Sequence, residues 1–159
     1  MVEESRPDTG SGRAGMRTAG ALVILLATTG FVTASYVTVV TFGWMRPDAP
    51  WVPRVCRMDP DTCSSVVFSS QARLFGVPNS VLGQLGYLAL VTAAASGRLF
   101  TAPIYWVAVA MSLGTVALGL YLAYVLLFVI RAPCVACFAA HVINLALACV
   151  LLLAGPGYH

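Results

Sequence analysis

The sequence predicts an all-α membrane protein: a four-helix transmembrane bundle with one long extracytoplasmic loop between helices 1 and 2. Three observations carry that reading. The chain of 159 residues is 59% hydrophobic and only 9% charged, where a soluble domain carries about a quarter charged residues. Uncharged apolar runs occupy residues 18–45, 81–97, 102–130 and 132–154, each within or above the roughly 17–25 residues that cross a bilayer. Charged residues and prolines gather between the first and second runs.

Residues 1–16 are polar, Gly-rich and mixed in charge, the composition of a disordered tail, and residues 17–155 form a single folded domain. The run 18–45 is longer than the apolar core of a signal peptide. No small-x-small cleavage site follows it, so it reads as a retained helix. Residues 46–78 hold four of the nine arginines, three of the six acids and five of the nine prolines, together with Cys56 and Cys63. This is an aqueous loop. Its half-apolar pieces, 64–70 and then 74–77, predict a short amphipathic element laid over the helix ends as a lid. Arg98 and Arg131 mark the two short connections between the last three runs, which makes consecutive helices antiparallel neighbours. Small residues in the third run, Ser112, Gly114, Gly119 and Ala123, suit close helix packing in lipid.

Four spans put both termini on one side of the membrane and the long loop on the other. The tail side carries four arginines (Arg6, Arg13, Arg17, Arg98) and the loop side five, so the overall count does not set the orientation. Arg13 and Arg17 flank the first helix and favour a cytoplasmic N terminus. Redox chemistry agrees, because paired loop cysteines persist as disulfides on an oxidising side. The net charge of +3 is scattered, without a basic cluster or aromatic–basic interleaving, which argues against a nucleic-acid surface.

Cys134-Val-Ala-Cys137 opens the fourth apolar run, with Pro133 where a helix accepts its first residue. Both sulfurs then lie near the positive end of a helix dipole, a location that suits a nucleophilic thiolate. A C-x-x-C there is a redox motif. Cys56 and Cys63 face the same side, and two dithiols in reach relay electrons by thiol–disulfide exchange. The relay would join a water-soluble dithiol to an acceptor dissolved in the bilayer. Two other readings stay open: a structural disulfide in the loop, and a zinc site of four cysteines. Zinc is the weaker, because one pair is embedded in a membrane helix far along the chain from the other.

Cys134, Cys137, His141 and Asn144 follow at spacings of three, four and three and share one helix face. Polar side chains in a membrane helix face the bundle interior and often mark a site. His141 and Asn144 either hydrogen-bond neighbouring helices or offer a donor to a quinone carbonyl below the thiols. Asn79 follows Pro78 at the same depth, either as a helix N-cap or as a polar group of that site. Cys149 reads as an inert packing residue of the apolar interior.

Further motifs complete the pattern. They are Ser69-Ser70 and Phe75-Gly76 in the loop, Asn79-Ser80 at the second helix, and Tyr121-Leu-Ala-Tyr-Val-Leu-Leu-Phe-Val129 in the third. Each is unspecific alone, but their order and spacing with the four cysteines are not. The chain thereby resembles the vitamin K epoxide reductase (VKOR) family over roughly residues 18–154. The resemblance implies a four-helix integral membrane oxidoreductase that couples thiol–disulfide exchange to a quinone. It makes Cys134 and Cys137 the active-site pair, with Cys137 nearest the quinone. Cys63 passes electrons to Cys134, and Cys56 exchanges with a thioredoxin-like partner. Asn79 hydrogen-bonds the quinone head group, Ser69 or Ser70 lies near the site, and Phe75 is an apolar wall of the pocket. His141 stands where vertebrate members carry a tyrosine with the same hydrogen-bonding task, a departure that bears on substrate and inhibitor preference. No thioredoxin-like domain is fused to the chain, so the partner is expected as a separate protein.

The expected function is thus a membrane thiol–quinone oxidoreductase that supports disulfide bond formation. Its substrate is a quinone (vitamin K, menaquinone or ubiquinone), its partner a thioredoxin-like thiol protein, and no metal is required. Two alternatives stand beside it: a vitamin K quinone or epoxide reductase producing hydroquinone, and a non-catalytic membrane subunit with a structural loop disulfide. The absence of lysine and the short C-terminal tail favour a multi-pass protein of a bacterial inner membrane over one of the endoplasmic reticulum. Its site is then expected to face the periplasm or the outside.

Overall fold

A computed structural model describes residues 9–46, 73–74, 76–131 and 134–156, and these are mostly helical. Helix α1 (Thr9–Thr41) is built on the first apolar run. It extends back into residues 9–16, a stretch expected as disordered tail. A nucleated helix gains one hydrogen bond for each further residue it fixes, and Ala14 and Met16 are good helix formers. Residues 1–8 lie outside the described residues. Along α1 the hydroxyls of Thr29, Thr33, Ser35, Thr38 and Thr41 each donate to the carbonyl four residues back, at 2.7–2.9 Å. An apolar medium offers hydroxyls no other partner, so an uncharged helix carries them in this way.

The helix ends before the uncharged run does. Gly43, with φ 71°, takes the left-handed position of a Schellman turn. Its N–H donates to Val40 O at 3.0 Å and the Trp44 N–H to Val39 O at 2.9 Å. The Phe42 and Trp44 rings stack there at 5.4 Å, the kind of aromatic pair that suits a membrane–water interface.

Strands β1 (Arg73–Leu74) and β2 (Val77–Pro78) pair antiparallel, Arg73 opposite Pro78 and Leu74 opposite Val77, with Gly76 at φ 82° in the turn. This ladder departs from the all-α expectation. Two-residue strands are too short to leave a period-two signal in the sequence. The rest of the expected loop, residues 47–72 and Phe75, with the 64–70 part of its amphipathic element, lies outside the described residues.

Helix α2 (Asn79–Ala95) follows directly. Pro78 occupies its N-cap position, so Asn79 is the first helical residue and not the cap. It too stops in a Schellman turn, at Gly97 with φ 69°, whose N–H donates to Ala94 O while Arg98 N–H donates to Ala93 O, both at 3.0 Å. Helix α3 (Ala102–Tyr124) begins after Thr101 with proline in its first turn and continues as a π-helical segment, Val125–Ile130. Arg131 closes it in the left-handed conformation (φ 56°, ψ 33°), donating its N–H to Leu126 O. Helix α4 (Val135–Ala154) starts with Cys134 as N-cap, whose carbonyl accepts the Phe138 N–H at 3.0 Å. The start therefore falls after the position that Pro133 was expected to hold, and Pro133 itself lies outside the described residues.

Among the described residues three helices are long and apolar enough to cross a membrane: Ala14–Thr41, Ala102–Val129 and Val135–Ala154. Helix α2, with 17 residues, is shorter, about 25 Å at 1.5 Å per residue. Their outward faces expose Leu25, Val32, Leu85, Leu120, Phe128 and Leu153, an apolar surface that fits lipid and not water.

Helix α1 packs along α2 and α4, and α3 packs along α4, whereas α2 and α3 barely touch despite their short connection. Consecutive helices are therefore not neighbours throughout. The Ser80 and Thr38 hydroxyls meet at 2.9 Å, with Thr38 Oγ1 accepting while its own proton goes to Ala34 O, and Gln84 Nε2 donates to Ser35 Oγ at 3.0 Å, joining α1 to α2. The core draws Val23 and Ala27 from α1, Tyr87 from α2, Tyr105 from α3, and Leu147 and Leu151 from α4. A second cluster of Val40, Leu126, Cys134 and Ala136 closes the other end.

Gly30 makes the α1–α2 contact possible. A Cβ on it would stand 2.5–2.8 Å from ring atoms of Tyr87, so Gly30→Ala must displace a buried ring. We expect a loss of about 1–3 kcal/mol of stability, read as a lower thermal midpoint in detergent. Gly15→Ala, on the same helix with nothing within 4 Å, should not lower it.

Candidate functional site

The first turns of α4 present the two cysteines differently. Cys134, at the N-cap, is fully buried among Val40, Leu126 and Ala136. Cys137, at the third helical position, is half-buried, a free thiol, and lines a cavity of about 660 Å³. That volume is in the range of small-molecule sites. Val37 of α1, Leu82 and Leu90 of α2, and Leu118 and Leu122 of α3 make most of its wall apolar. Among them stand Asn79, Tyr87, Ser112, His141 and Asn144, with further hydroxyls from Thr33, Thr41, Ser80 and Thr115. Because α2 and α3 barely touch, the exposed Leu82, Met111, Gly114 and Thr115 form the wall between them. The cavity opens on that side.

The α4 face read from the sequence is present, with Cys137, His141 and Asn144 all lining this cavity. Among the described residues His141 does not hydrogen-bond a neighbouring helix. Both of its ring nitrogens are buried without a hydrogen-bond partner among the described residues. Its ring meets Phe138 edge-on at 6.4 Å and lies against Gly119 of α3, where a Cβ would come within 2.9 Å of Nδ1. Asn144 does bridge helices, its Oδ1 accepting the Tyr87 hydroxyl at 2.7 Å. Asn79 is half-buried at the mouth end of α2 and lines the same cavity. Cys149 is exposed on the outer side of α4 and not in the apolar interior where it was expected. Twelve residues beyond Cys137, it has rotated about 120° off the cavity face.

Cys56, Cys63, Ser69, Ser70 and Phe75 lie outside the described residues. Among the described residues no group of three or more His, Cys, Asp or Glu side chains could hold a metal ion. The sequence reading missed Tyr87 and took Ser112, like Gly119, only for a small packing residue. Tyr87 left a usable signal, since a phenol in an uncharged run needs a partner for its hydroxyl. Gly119 entered only as a small packing residue, and its service to His141 is a cross-helix fact.

The geometry is that of an apolar, membrane-level cavity with one thiol and a few convergent polar groups. The model of the vitamin K epoxide reductase family matches residues 21–152. The chain belongs to that family. No curated protein matches it. As a VKOR-family member it is an oxidoreductase, and its three apolar helices make it an integral membrane protein. The family carries out membrane thiol–quinone oxidoreduction, with quinones as substrates and thiol redox partners.

Proposed function

We propose that this VKOR-family protein passes electrons from a thioredoxin-like partner, through two cysteine pairs, to a quinone held in the cavity between the helices. The observation that carries the proposal is that Cys137, His141, Asn79 and Asn144 line one apolar cavity of about 660 Å³ that opens between α2 and α3. In this reading α2 joins the other three helices in spanning the bilayer, completing a four-helix bundle, and residues 46–78 form the extracytoplasmic loop. The quinone enters from the lipid by the apolar gap.

The electron path runs by successive thiol–disulfide exchange. The reduced partner exchanges with Cys56 and opens the Cys56–Cys63 disulfide. Cys63 then attacks Cys134, opening the Cys134–Cys137 disulfide and freeing the Cys137 thiol; Cys56 attacks Cys63 of the resulting Cys63–Cys134 mixed disulfide, which frees Cys134 and closes Cys56–Cys63 again. The Cys134 and Cys137 thiols close to a disulfide, while the quinone takes two electrons and two protons and leaves as quinol. The partner departs oxidised, able to introduce disulfides into other proteins. Burial of Cys134 against Val40, Leu126 and Ala136 supports its place as the internal relay sulfur, and the cavity position of Cys137 supports its place beside the quinone. His141 and Asn79 donate hydrogen bonds to the head group. Ser69 or Ser70 and Phe75 close the pocket from the loop side. The membrane is a bacterial inner membrane, with the site on its periplasmic or outer side.

The test is dithiol-driven quinone reduction by the purified full chain in lipid nanodiscs, followed by quinone absorbance. Menadione and a short-chain ubiquinone serve as acceptors and dithiothreitol as donor. One quinone should be consumed for each dithiol oxidised. A chain that leaves both quinones untouched is not this enzyme.

A further inference from the structure

The cavity holds one polar arrangement that the proposed electron path does not use. Tyr87 of α2 is 6% exposed, and its ring is wedged against Gly30 of α1. Its hydroxyl donates to Asn144 Oδ1 on α4 at 2.7 Å. Three helices thus fix one carboxamide. With Oδ1 occupied, the remaining polar end is the Nδ2 amino group, which has no protein partner among the described residues. Such a donor, set in an apolar cavity, costs free energy until it meets an acceptor. Its neighbours on the same helix face are His141, one turn above, and Cys137, two turns above. At 1.5 Å per residue these lie about 4.5 and 10.5 Å along the axis from Asn144. A planar ring standing on edge below the thiol fills that interval.

We propose that Asn144 is a further hydrogen-bond donor, beside His141 and Asn79, to a carbonyl oxygen of the quinone head group, and that Tyr87 is the positioning residue that turns the amide toward it. The proposal rests on the thiol–quinone reading above and deepens it. It makes head-group recognition depend on an interhelical bond between α2 and α4. The Tyr87 hydroxyl has no contact with the quinone. It acts by disfavouring the other orientation, in which Oδ1 would face the carbonyl and repel it, and the Tyr87 hydroxyl, accepting from Nδ2, would leave its own proton without an acceptor among the described residues. Oxidised quinone, whose oxygens only accept, is therefore held in preference to a ligand without a carbonyl at that edge.

The decisive variant is Tyr87→Phe with Asn144→Leu. Removing both partners of a buried bond while keeping their shapes is close to neutral for folding, so the thermal midpoint should stay near that of the parent chain. Menadione affinity, measured by titration in nanodiscs, should fall about tenfold, the worth of one buried hydrogen bond. Tyr87→Phe alone should give a smaller loss, about threefold, because the amide persists but turns freely. Labelling of Cys137 by a small maleimide should be unchanged in both. A double variant with parental menadione affinity overturns the proposal and leaves the thiol–quinone reading standing. If the double variant does not fold, Tyr87→Phe decides, and unchanged affinity there overturns it equally. A parent chain that neither binds nor reduces menadione removes both the proposal and the reading beneath it.

Discussion

Cys137→Ala is expected to abolish dithiol-driven quinone reduction, with a loss on the order of 10³-fold or more, as removal of a reacting nucleophile gives in other enzymes. The expectation follows from placement. Cys137 lines the cavity, whereas Cys134 is fully buried behind it among Val40, Leu126 and Ala136. Of the two sulfurs, only that of Cys137 is placed to meet a molecule in the cavity. Without it the Cys134–Cys137 disulfide that balances quinone reduction cannot form. The measurement is the rate of quinone absorbance loss at saturating dithiol, with the thermal midpoint recorded beside it. A half-buried cysteine at a cavity wall leaves little void when truncated, so stability should change by about 1 kcal/mol or less.

A control separates this from general thiol damage. Cys149 is exposed on the outer side of α4, and Cys149→Ala should turn over quinone at the parental rate. If Cys137→Ala retained full activity, the site would not be at the head of α4, and the proposed path would fail however well the chain bound quinones.

How much of this was legible in the sequence differs from residue to residue. The shared face of Cys134, Cys137, His141 and Asn144 could be read because an apolar helix shows each polar residue against an empty background, and the helical period then assigns its side. The four helices among the described residues could be placed from uncharged runs for the same reason, three of them long and apolar enough to cross a membrane. What composition does not contain is lateral order. That α1 packs between α2 and α4, leaving α2 and α3 apart, depends on side-chain fit, such as Gly30 against Tyr87 and the Ser and Thr bonds between α1 and α2. The cavity exists because of that order. The π-helical segment Val125–Ile130 and the start of α4 at Cys134 were hidden likewise, since a proline signal marks a helix boundary only to within a residue or two. The expectation for Asn144 as an interhelical bridge was met, but its partner Tyr87 came only with the packing.

The second large effect is expected at Gly119. A Cβ there would stand 2.9 Å from His141 Nδ1 and 3.4 Å from its Cγ, closer than these atoms tolerate, so Gly119→Ala must turn or push the imidazole. Both ring nitrogens lack a partner among the described residues, so no bond resists the displacement, and the ring moves before the helix does. Meanwhile alanine in the interior of α3 favours the helix by about 1 kcal/mol over glycine. Stability and function should therefore part company: the thermal midpoint holds or rises, while quinone reduction falls. A misplacement near 1 Å of a positioning group costs on the order of 10²-fold, so a loss between about 10- and 100-fold is expected, chiefly in kcat/KM. Gly119→Leu carries the argument further, because its side chain adds bulk against both His141 and the cavity that Gly119 lines. It should remove measurable menadione binding. His141→Ala combined with Gly119→Ala then distinguishes cause from coincidence. If the steric push on His141 is what harms the site, the second substitution adds almost nothing once the imidazole is gone. If the losses multiply, Gly119 matters for a reason other than the room it leaves for His141.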